Sequence, residues 1–327
     1  MAVKSVIEAV REGMFEEMCR DPDVFLLGED VGPRGGVFLA SQGFYEEFGR
    51  DRIIDTPLAE ASIVGIALGA AYKGMRPIAE IQFSDFIWPA ANQLIGEAGR
   101  VCYGTNGNLS VPLVVRVPYG GGIRGGLFHS QNVESYFFHT PGLKVVAPST
   151  PFDAKGLLKS AIRDNNPVVF VEHKKTYRMV RGEVPDDDYV LPLGVADVKR
   201  AGSGVTVVSY GLMVHYCLEA AEALSGEGVD VEVVDLRTLK PLDVDTILDS
   251  VRKTGRVLIV HEDNITGGVG AEVAARIASG AFDYLDAPIG RLCGPDVPTM
   301  PFASSLEEAY MPSTESIASE LRNLAAY

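Results

Sequence analysis

The chain has 327 residues, of which 46% are hydrophobic and 22% are charged, a composition typical of a globular protein with a full core. Its 29 Lys and Arg against 44 Asp and Glu give a net charge of −15, which argues against nucleic acid or an anionic membrane as the main partner. No apolar run reaches the roughly 18 residues that a membrane-spanning helix needs, and the length suggests about two domains.

The first residues, MAVKSVIEAVREGMFEEM, predict an amphipathic helix in which Val6, Val10 and Phe15 are spaced among charges, and they do not fit a signal peptide. Four cysteines are widely scattered and include no C-x-x-C pair: Cys19, Cys102, Cys217 and Cys293. We therefore expect a reduced, cytoplasmic protein without a disulfide framework and without a zinc or iron–sulfur site.

Strand-like and helix-like segments then alternate along the chain. Strands are predicted at VFLLGED, RPIAEIQFS, VPLVVRVPYG, LKVVAP and PVVFVEH, and helices at SIVGIALGAAYKG, PAANQLIGEAGRV and DAKGLLKSAIRD. After a charged, turn-rich segment over about 174–204, the alternation restarts at VTVVSYG and ends in the helix STESIASELRNLAAY. The pattern predicts an α/β protein with a parallel sheet covered by helices, with a first domain over 1–190 and a smaller α/β domain over 191–327.

The stretch DTPLAEASIVGIALGAA, residues 55–71, places Glu60 at the head of a small and apolar helix. Thr56 and Pro57 are interpreted as its N-cap and first residue, so Glu60 lies one position beyond the place of a capping-box glutamate. Apolar residues on every face predict a helix buried all round, with Glu60 partly buried. Glu60 either stabilises the positive end of the helix dipole or has a role in binding or catalysis.

Two other segments place polar side chains beyond predicted strands, where ligands of open α/β sheets bind. In IQFSDFIWPAANQ, Gln82 and Phe86 have the chemistry to contact the edge and face of a flat heterocycle, or they serve as a cap and a core residue. In VPYGGGIRGGLFHSQ, His129 follows a loop of unusual glycine content, which indicates left-handed backbone or close approach to a ligand. A histidine there is a candidate acid or base, or a structural residue.

Several of these segments together resemble the β subunit of the E1 component of 2-oxo acid dehydrogenase complexes. The residues that carry the resemblance run in order along almost the whole chain: LGEDVG, DTPLAEASIVGIALGAA, AEIQFSDFIWPAANQLIGEAGR, HSQNVESYFFHTPGLKVVAPSTPFDAKGLL, AIRDNNPVVFVEHK and VDLRTLKPLD. The resemblance implies a transketolase-like pyrimidine domain that binds thiamine diphosphate, followed by a transketolase-type C-terminal domain. It also implies an α2β2 heterotetramer with active sites at the α–β interfaces.

The resemblance assigns the cofactor contacts residue by residue. Glu60 matches the glutamate that hydrogen-bonds N1′ of the aminopyrimidine of thiamine diphosphate, and so promotes loss of the proton from C2 of the thiazolium. Phe86 matches an aromatic position stacked near that ring, which is tyrosine in many branched-chain relatives. Leu58 and Gln82 match positions that line the same ring.

Two further groups of residues take their roles from the resemblance. His129 matches a histidine near the mouth of the active site, to which we assign proton transfer during acylation of the lipoyl group of E2. A potassium site of mammalian relatives corresponds to Leu113, Val114, Ala161, Asp164 and Asn166.

The chain contains no G-D-G motif followed by asparagine, the element that holds Mg²⁺ and diphosphate in this superfamily. We therefore expect an α subunit to supply that half of the site, and the chain alone to be inactive. The segment GGGIRGGLFHSQNVESYF resembles branched-chain-type β subunits more than pyruvate-type ones, which implies a branched-chain 2-oxo acid as substrate, with pyruvate or acetoin as the alternatives. The alternative from another class is a non-catalytic assembly subunit of such a complex.

Overall fold

The computed structural model describes residues 1–327, which form two compact units. The first unit comprises Met1–Tyr119 and Tyr136–Leu193, and the second comprises Gly120–Ser135 and Gly194–Tyr327. The segment from Gly120 to Ser135, which carries His129, therefore groups with the C-terminal part of the chain.

The strands are short and the helices run up to 15 residues. The strands are β1 (Ala2–Ser5), β2 (Val24–Glu29), β3 (Ile53–Thr56), β4 (Arg76–Glu80), β5 (Val114–Tyr119), β6 (Lys144–Val146), β7 (Val168–His173), β8 (Arg181–Val184), β9 (Asp197–Arg200), β10 (Val205–Ser209), β11 (Val231–Asp235), β12 (Thr238–Lys240), β13 (Val257–Asn264) and β14 (Gly290–Gly294). The α-helices are α1 (Val6–Arg20), α2 (Phe44–Phe48), α3 (Glu60–Ala71), α4 (Gly99–Gly104), α5 (Glu134–Phe138), α6 (Pro151–Arg163), α7 (Thr176–Met179), α8 (Leu212–Ser225), α9 (Val244–Thr254), α10 (Val269–Gly280), α11 (Ser304–Tyr310) and α12 (Thr314–Ala325). A π-helix, Asn92–Ala98, precedes α4.

In the first unit, six parallel strands lie in the order β6-β7-β5-β4-β2-β3. Their near-continuous apolar character, as in the fully buried β5 and β7, is typical of parallel strands covered on both faces. Helices α1 and α6 pack together over this sheet in one buried core. Strands β1 and β8 form a separate antiparallel pair.

The second unit contains a five-stranded sheet in the order β14-β13-β10-β11-β9. All neighbours are parallel except β9, which runs antiparallel to β11. Helices α8 and α12 pack on it in a second buried core. Two separate parallel-type sheets confirm the predicted α/β class, and the turn-rich segment over 174–204 contains α7, β8 and β9 as well as turns.

The start of α3 differs from the sequence interpretation. Thr56 is not a helix cap, because it is the last residue of β3 and pairs with Glu29 of β2. The helix begins at Glu60, and its N-cap, Ala59, makes no side-chain hydrogen bond. Parallel pairing with β2 therefore extends the strand through the predicted cap and leaves Glu60 as the first helical residue.

Helix α3 is also not buried all round. Ile63, Val64 and Leu68 are buried, whereas Ile66 is 56% exposed on the other side of the helix. Leu58, just before the helix, is 70% exposed. The apolar residues on this side of α3 have no cover within the chain.

Across the structure, none of the helices has the combination of length and apolar character that crossing a membrane requires.

Candidate active site

The carboxyl ends of parallel strands meet at one edge of a sheet, and acidic residues collect there in the first unit. Glu29 ends β2, Asp55 lies in β3, and Glu60 begins α3. Burial raises the pKa of Glu29, and the negative charges of Asp30, Glu60 and Asp55 raise it further. Glu60 therefore lies within electrostatic reach of a carboxylate that holds its proton more firmly than usual.

Glu60 has no partner of its own in the chain. Its side chain is half-buried and makes neither a capping hydrogen bond nor an ion pair. The hydroxyl oxygen of Thr56, four residues earlier, is buried and also lacks a hydrogen-bond partner. Buried polar atoms are rarely left unsatisfied in folded proteins, so the Thr56 hydroxyl marks a place where a polar ligand fits.

Gln82 and Phe86 follow β4 at this same edge. The Gln82 side-chain nitrogen lies 3.4 Å from the carbonyl oxygen of Glu29 and 3.4 Å from Oδ2 of Asp30, which ties Gln82 to the end of β2. The Phe86 ring is half-buried and meets the Phe83 ring edge to face, with centroids 5.9 Å apart. A carboxyl, an amide and an aromatic ring together suit a flat heterocycle with ring nitrogens.

A buried ionic network lies behind this edge and was missed in the sequence. Arg116 of β5 pairs with Oε2 of Glu80 on β4 at 2.5 Å and with Oε1 of Glu172 on β7 at 2.7 Å. The Tyr177 hydroxyl donates to Glu172 at 2.6 Å, and Glu80, Arg116 and Glu172 are each at most 3% exposed. The sequence does contain a signal for this network, because charged residues of opposite sign occur within three otherwise apolar strands, RPIAE, VVRVPY and VVFVEH.

The two charge types in this network affect each other's protonation. Burial raises the pKa of Glu80, and Arg116 opposes that rise. Burial lowers the pKa of Arg116, but the carboxylates of Glu172 and Glu80 outweigh it and hold that pKa above its ordinary value. Glu80 precedes Gln82 by two residues, so the network fixes the strand end from which the candidate site begins.

His129 lies in the second unit, half-buried, directly after a short 3-10 turn over Gly126–Phe128. Glu60, Gln82, Phe86 and Leu58 lie in the first unit. The first unit thus brings Glu60 and Gln82 to one sheet edge, while His129 is held by the elements of the C-terminal part of the chain.

Buried acids surround the segment that follows His129. Glu134 is fully buried and accepts hydrogen bonds from the Tyr210 hydroxyl at 2.8 Å and from the Val133 N–H at 3.0 Å. Ser135 donates to Asp263 of β13. Burial raises the pKa of Glu134 well above its ordinary value, and the neighbouring charge of Asp263 adds to that rise. Burial likewise raises the pKa of Asp263.

Glu134→Gln is expected to flatten the pH dependence of stability. Because the folded-state pKa of Glu134 is raised, its contribution is fully present below the ordinary value of 4.5 and is lost as pH rises through the raised pKa. Within that window the wild-type protein should lose up to about 1.4 kcal/mol per pH unit for this proton. Unfolding midpoints of both proteins between mildly acidic and mildly alkaline pH measure this, and parallel curves would contradict it.

His261, one of two fully buried histidines, packs against other side chains of the second unit. His261 is 1% exposed, its Nε2 lies 3.3 Å from Sγ of Cys293, and its ring stacks on Tyr210 with centroids 6.0 Å apart. Burial lowers the pKa of His261 to about 4, so it is neutral at physiological pH. The four cysteines are all free thiols.

The predicted potassium ligands lie next to side-chain cations. The Lys144 ammonium bonds directly to the Asp164 carboxylate. The Arg76 guanidinium donates from Nη1 to the carbonyl oxygens of Ile162 at 3.0 Å and Asp164 at 2.9 Å. The other carboxylate oxygen of Asp164 accepts from the backbone and side-chain nitrogens of Asn166 at 2.8 and 3.2 Å.

The backbone carbonyls of this group are also engaged. The oxygen of Leu113 accepts from the N–H of Val168 at 2.9 Å, and that of Ala161 accepts from the N–H of Asp164 at 3.3 Å. Val114 is paired within the sheet by β4 and β7. The Asp164 carboxylate is thus already paired with Lys144, and the carbonyl oxygens of Leu113 and Ala161 each accept one amide hydrogen bond, so a potassium ion at this place would compete with the lysine ammonium.

The protein is therefore expected to show the same unfolding midpoint in potassium chloride and in tetramethylammonium chloride at equal ionic strength. A cation that bound only the folded state would raise the midpoint by mass action. Lithium or sodium chloride provides the control for non-specific salt effects. A potassium-specific rise of the midpoint would contradict this prediction and favour the ligand set inferred by resemblance.

Comparison with known proteins divides the chain into two successive domains. Residues 3–180 match the family "Transketolase, pyrimidine binding domain", and residues 194–317 match "Transketolase, C-terminal domain". A solved structure described as "Split gene transketolase, inactive beta4 tetramer" is similar in fold, with a TM-score of 0.80 at 23% identity over 99% of this chain and 98% of that chain. These matches confirm the predicted fold class.

Two curated relatives match along the full chain. The 2-oxoisovalerate dehydrogenase subunit beta of Bacillus subtilis (strain 168) is 55% identical over 327 residues, covering 100% of both chains. The pyruvate dehydrogenase E1 component subunit beta of the same organism is 45% identical over 327 residues, again covering 100% of both chains. From this full-length similarity and its two transketolase-type domains, the chain belongs to the β subunits of the E1 component of 2-oxo acid dehydrogenases.

Proposed function

We propose that this chain, together with an α subunit, decarboxylates a branched-chain 2-oxo acid of the 2-oxoisovalerate type and transfers the acyl group to lipoyl-E2. The proposed substrate class rests on sequence identity, which is 55% to the 2-oxoisovalerate dehydrogenase subunit and 45% to the pyruvate dehydrogenase subunit over the same length. Family membership makes thiamine diphosphate the cofactor, an α subunit the partner and an E2 component the acyl acceptor.

The residues of the candidate site fit the aminopyrimidine half of thiamine diphosphate. Glu60 offers a half-buried carboxyl without a partner, and Phe86 offers a half-buried ring. Gln82 lies at the same sheet edge, tied to Glu29 and Asp30. When bound, the cofactor supplies a carbon nucleophile and an electron sink for decarboxylation.

In this proposal Glu60 holds a proton at N1′ of the aminopyrimidine. The place of Glu60 beside the carboxyl ends of β2 and β3, with no partner of its own in the chain, supports this role. The first turn of α3 and the end of β3 fix the backbone of Glu60. The carboxyl is therefore held in place before the ligand arrives, as catalytic groups require.

The other assigned residues are proposed to orient the bound ligand and to exclude water from it. With thiamine diphosphate bound, Phe86 would pack against the aminopyrimidine, Gln82 would lie along its edge, and Leu58 would shield it with an apolar side chain. His129 moves a proton to or from the lipoyl sulfur during acyl transfer, a role that suits an imidazole near neutral pH.

The α subunit is proposed to complete the site. It holds the diphosphate and Mg²⁺, for which this chain carries no G-D-G motif. Exposed apolar residues near Glu60, Leu58 at 70% and Ile66 at 56% exposure, support a partner surface on this side of α3. We propose an α2β2 assembly with two active sites at the α–β interfaces.

Turnover of a substrate panel tests this proposal. The chain is co-expressed with its α subunit and assayed with thiamine diphosphate and Mg²⁺ on 2-oxoisovalerate, its straight-chain analogues, pyruvate and acetoin. The proposal predicts the highest kcat/KM on the branched acid. A preference for pyruvate or acetoin would refute the substrate class, and an inactive complex that still assembles with E2 would favour an assembly subunit.

A further inference from the structure

The glycine-rich segment around His129, residues 120–131 (the His129 loop), takes left-handed backbone angles at four positions. Gly120, Gly122 and Gly126 have positive φ angles of 87°, 74° and 67°. Arg124 also has a positive φ, 57°, which is uncommon for a residue with a side chain. A backbone of this kind persists only where its surroundings hold it.

Two buried carboxylates from the C-terminal part of the chain hold this backbone. Oε1 of Glu307 on α11 accepts hydrogen bonds from the N–H of Gly122 at 2.9 Å and from the N–H of Arg124 at 3.2 Å. Oε1 of Glu262 on β13 accepts from the N–H of Gly121. Glu307 is 5% exposed and Glu262 3% exposed.

Glu307 has no lysine or arginine partner, so these backbone N–H groups are what stabilise its buried charge. A buried carboxylate is strongly unfavourable unless it is hydrogen-bonded, and charge-assisted bonds to N–H groups are the stronger class of hydrogen bond. The interaction is therefore mutual: the loop satisfies the carboxylate, and the carboxylate fixes the loop.

Apolar side chains close the other side of the loop. A Cβ atom at Gly121 would lie 2.7 Å from Cε of Met300, and one at Gly126 would lie 2.8 Å from Cδ2 of Phe302. At Gly126, whose φ is also positive, a side chain would be both crowded and strained, so glycine suits this close approach. The loop thus packs against apolar side chains of the second unit.

A third set of contacts lies immediately beside His129. Nε2 of Gln131 donates to Oγ1 of Thr299 at 2.8 Å and to the carbonyl oxygen of Leu127 at 3.2 Å. The backbone N–H of Met300 donates to Oε1 of Gln131 at 3.2 Å. The residues on both sides of His129 are therefore tied to the segment that leads into α11.

We propose that Glu307 and Glu262 are positioning residues for acyl transfer, which hold the His129 loop so that the imidazole meets the lipoyl group in one orientation. This inference rests on the proposed function, in which His129 transfers a proton at the lipoyl sulfur. Neither carboxylate contacts the reacting atoms; each acts through the backbone of the loop.

The test uses the assembled E1 with its α subunit and compares Glu307→Ala with Glu307→Gln. Alanine removes the acceptor for two N–H groups, whereas glutamine keeps a side-chain oxygen that can accept them. Glu308→Ala removes an exposed carboxylate from the same helix and serves as the matched control. Hydrogen exchange of peptides covering the His129 loop is measured together with the thermal midpoint of each complex.

Two readouts are expected to change in Glu307→Ala. Exchange of the loop amides should accelerate by roughly tenfold or more, as expected for loss of hydrogen bonds to a charged group. The ratio of lipoyl-domain acylation to dye-linked decarboxylation should fall by about 10- to 100-fold, because small displacements of a reacting group are costly. Glu307→Gln should recover much of both effects, and Glu308→Ala should resemble wild type.

His129→Ala separates this inference from the proposed function. If His129→Ala lowers the acylation ratio but Glu307→Ala does not, the positioning role is wrong and the proposed function stands. If loop exchange is unchanged in Glu307→Ala, the positioning role is also wrong. If His129→Ala leaves the ratio unchanged, the acyl-transfer role of His129 is wrong, and the positioning role falls with it.

Discussion

Glu60→Gln is expected to lower 2-oxo acid decarboxylation by the E1 complex by about 10²- to 10⁴-fold, the range typical for loss of a general acid–base group. The glutamine side chain has nearly the same shape and still hydrogen-bonds, but it cannot hold a mobile proton. Because Glu60 makes no hydrogen bond or ion pair in the chain, its replacement should leave the fold and the assembly intact. Steady-state kcat with saturating cofactor measures the effect.

Glu46→Gln provides the matched control for this variant. Glu46 is an exposed glutamate on α2 of the same unit, without an assigned role at the site. It should retain wild-type turnover within about twofold, since exposed substitutions rarely matter by more than about 0.5 kcal/mol. Equal activity of Glu60→Gln and Glu46→Gln would remove Glu60 from the proposed mechanism.

The second large effect is expected for stability and comes from Arg116→Met. Methionine leaves Glu80 and Glu172 buried beside each other without their cation, and breaking a buried pair in this way costs about 3–5 kcal/mol. At roughly 2–4 °C per kcal/mol for a domain of this size, the thermal midpoint should fall by about 6–20 °C. Differential scanning calorimetry of wild type and variant measures the shift.

The pH dependence of this variant gives a second check. Burial already raises the pKa of Glu80, and removing Arg116 removes the charge that opposes this rise. Because a raised folded-state pKa gives stability that is present at low pH and lost as pH rises, the deficit of Arg116→Met should be smallest in mildly acidic buffer. A deficit independent of pH would contradict the ionic origin of the effect.

Two further variants isolate the burial of charge. Arg276→Met breaks an exposed i,i+4 pair with Glu272 and should change stability by no more than about 0.5 kcal/mol. Replacing Glu80 and Glu172 by glutamine in Arg116→Met removes the uncompensated charges and should recover much of the loss. If Arg116→Met is no more harmful than Arg276→Met, the network does not stabilise the site edge.

The sequence predicted the elements of the fold well where the signal was local. The apolar runs that became β2, β5 and β7, and the C-terminal helix α12, each lie within a few residues of their predicted places. Their periodicity reflects which side chains each element buries, so it is visible within a single window of sequence. The start of α3 was wrong because pairing of β3 with β2 is a long-range interaction that outweighs a local capping signal.

The sequence suggests residue types for the candidate site but not their surroundings. Glu60 is recognisable in the sequence as a carboxylate at the head of an apolar helix. Its neighbours Glu29 and Asp55 lie on two different strands, 31 and five residues earlier in the chain. Only the sheet brings these carboxylates together. The same holds for the loop of His129, whose amides are held by Glu262 and Glu307 from far along the chain.

The exposed side of α3 explains why burial of this helix was predicted incorrectly from the sequence. Ile66 and Leu58 have the apolar character of buried residues, yet the chain itself does not cover them. Hydrophobic pattern reports burial in the final assembly as well as in the isolated chain. The helix was therefore predicted as fully buried, although one side of it is exposed in this chain.

Titration of the chain with its α subunit, in the presence of thiamine diphosphate and Mg²⁺, and with release of carbon dioxide from 2-oxoisovalerate as the readout, tests whether the two subunits share one active site. We expect no turnover by either subunit alone, a rise to a plateau at equal amounts of the two, and loss of that plateau in Glu60→Gln. Turnover by the isolated chain, or a plateau that Glu60→Gln shares with wild type, would show that Glu60 and the α subunit do not form this site.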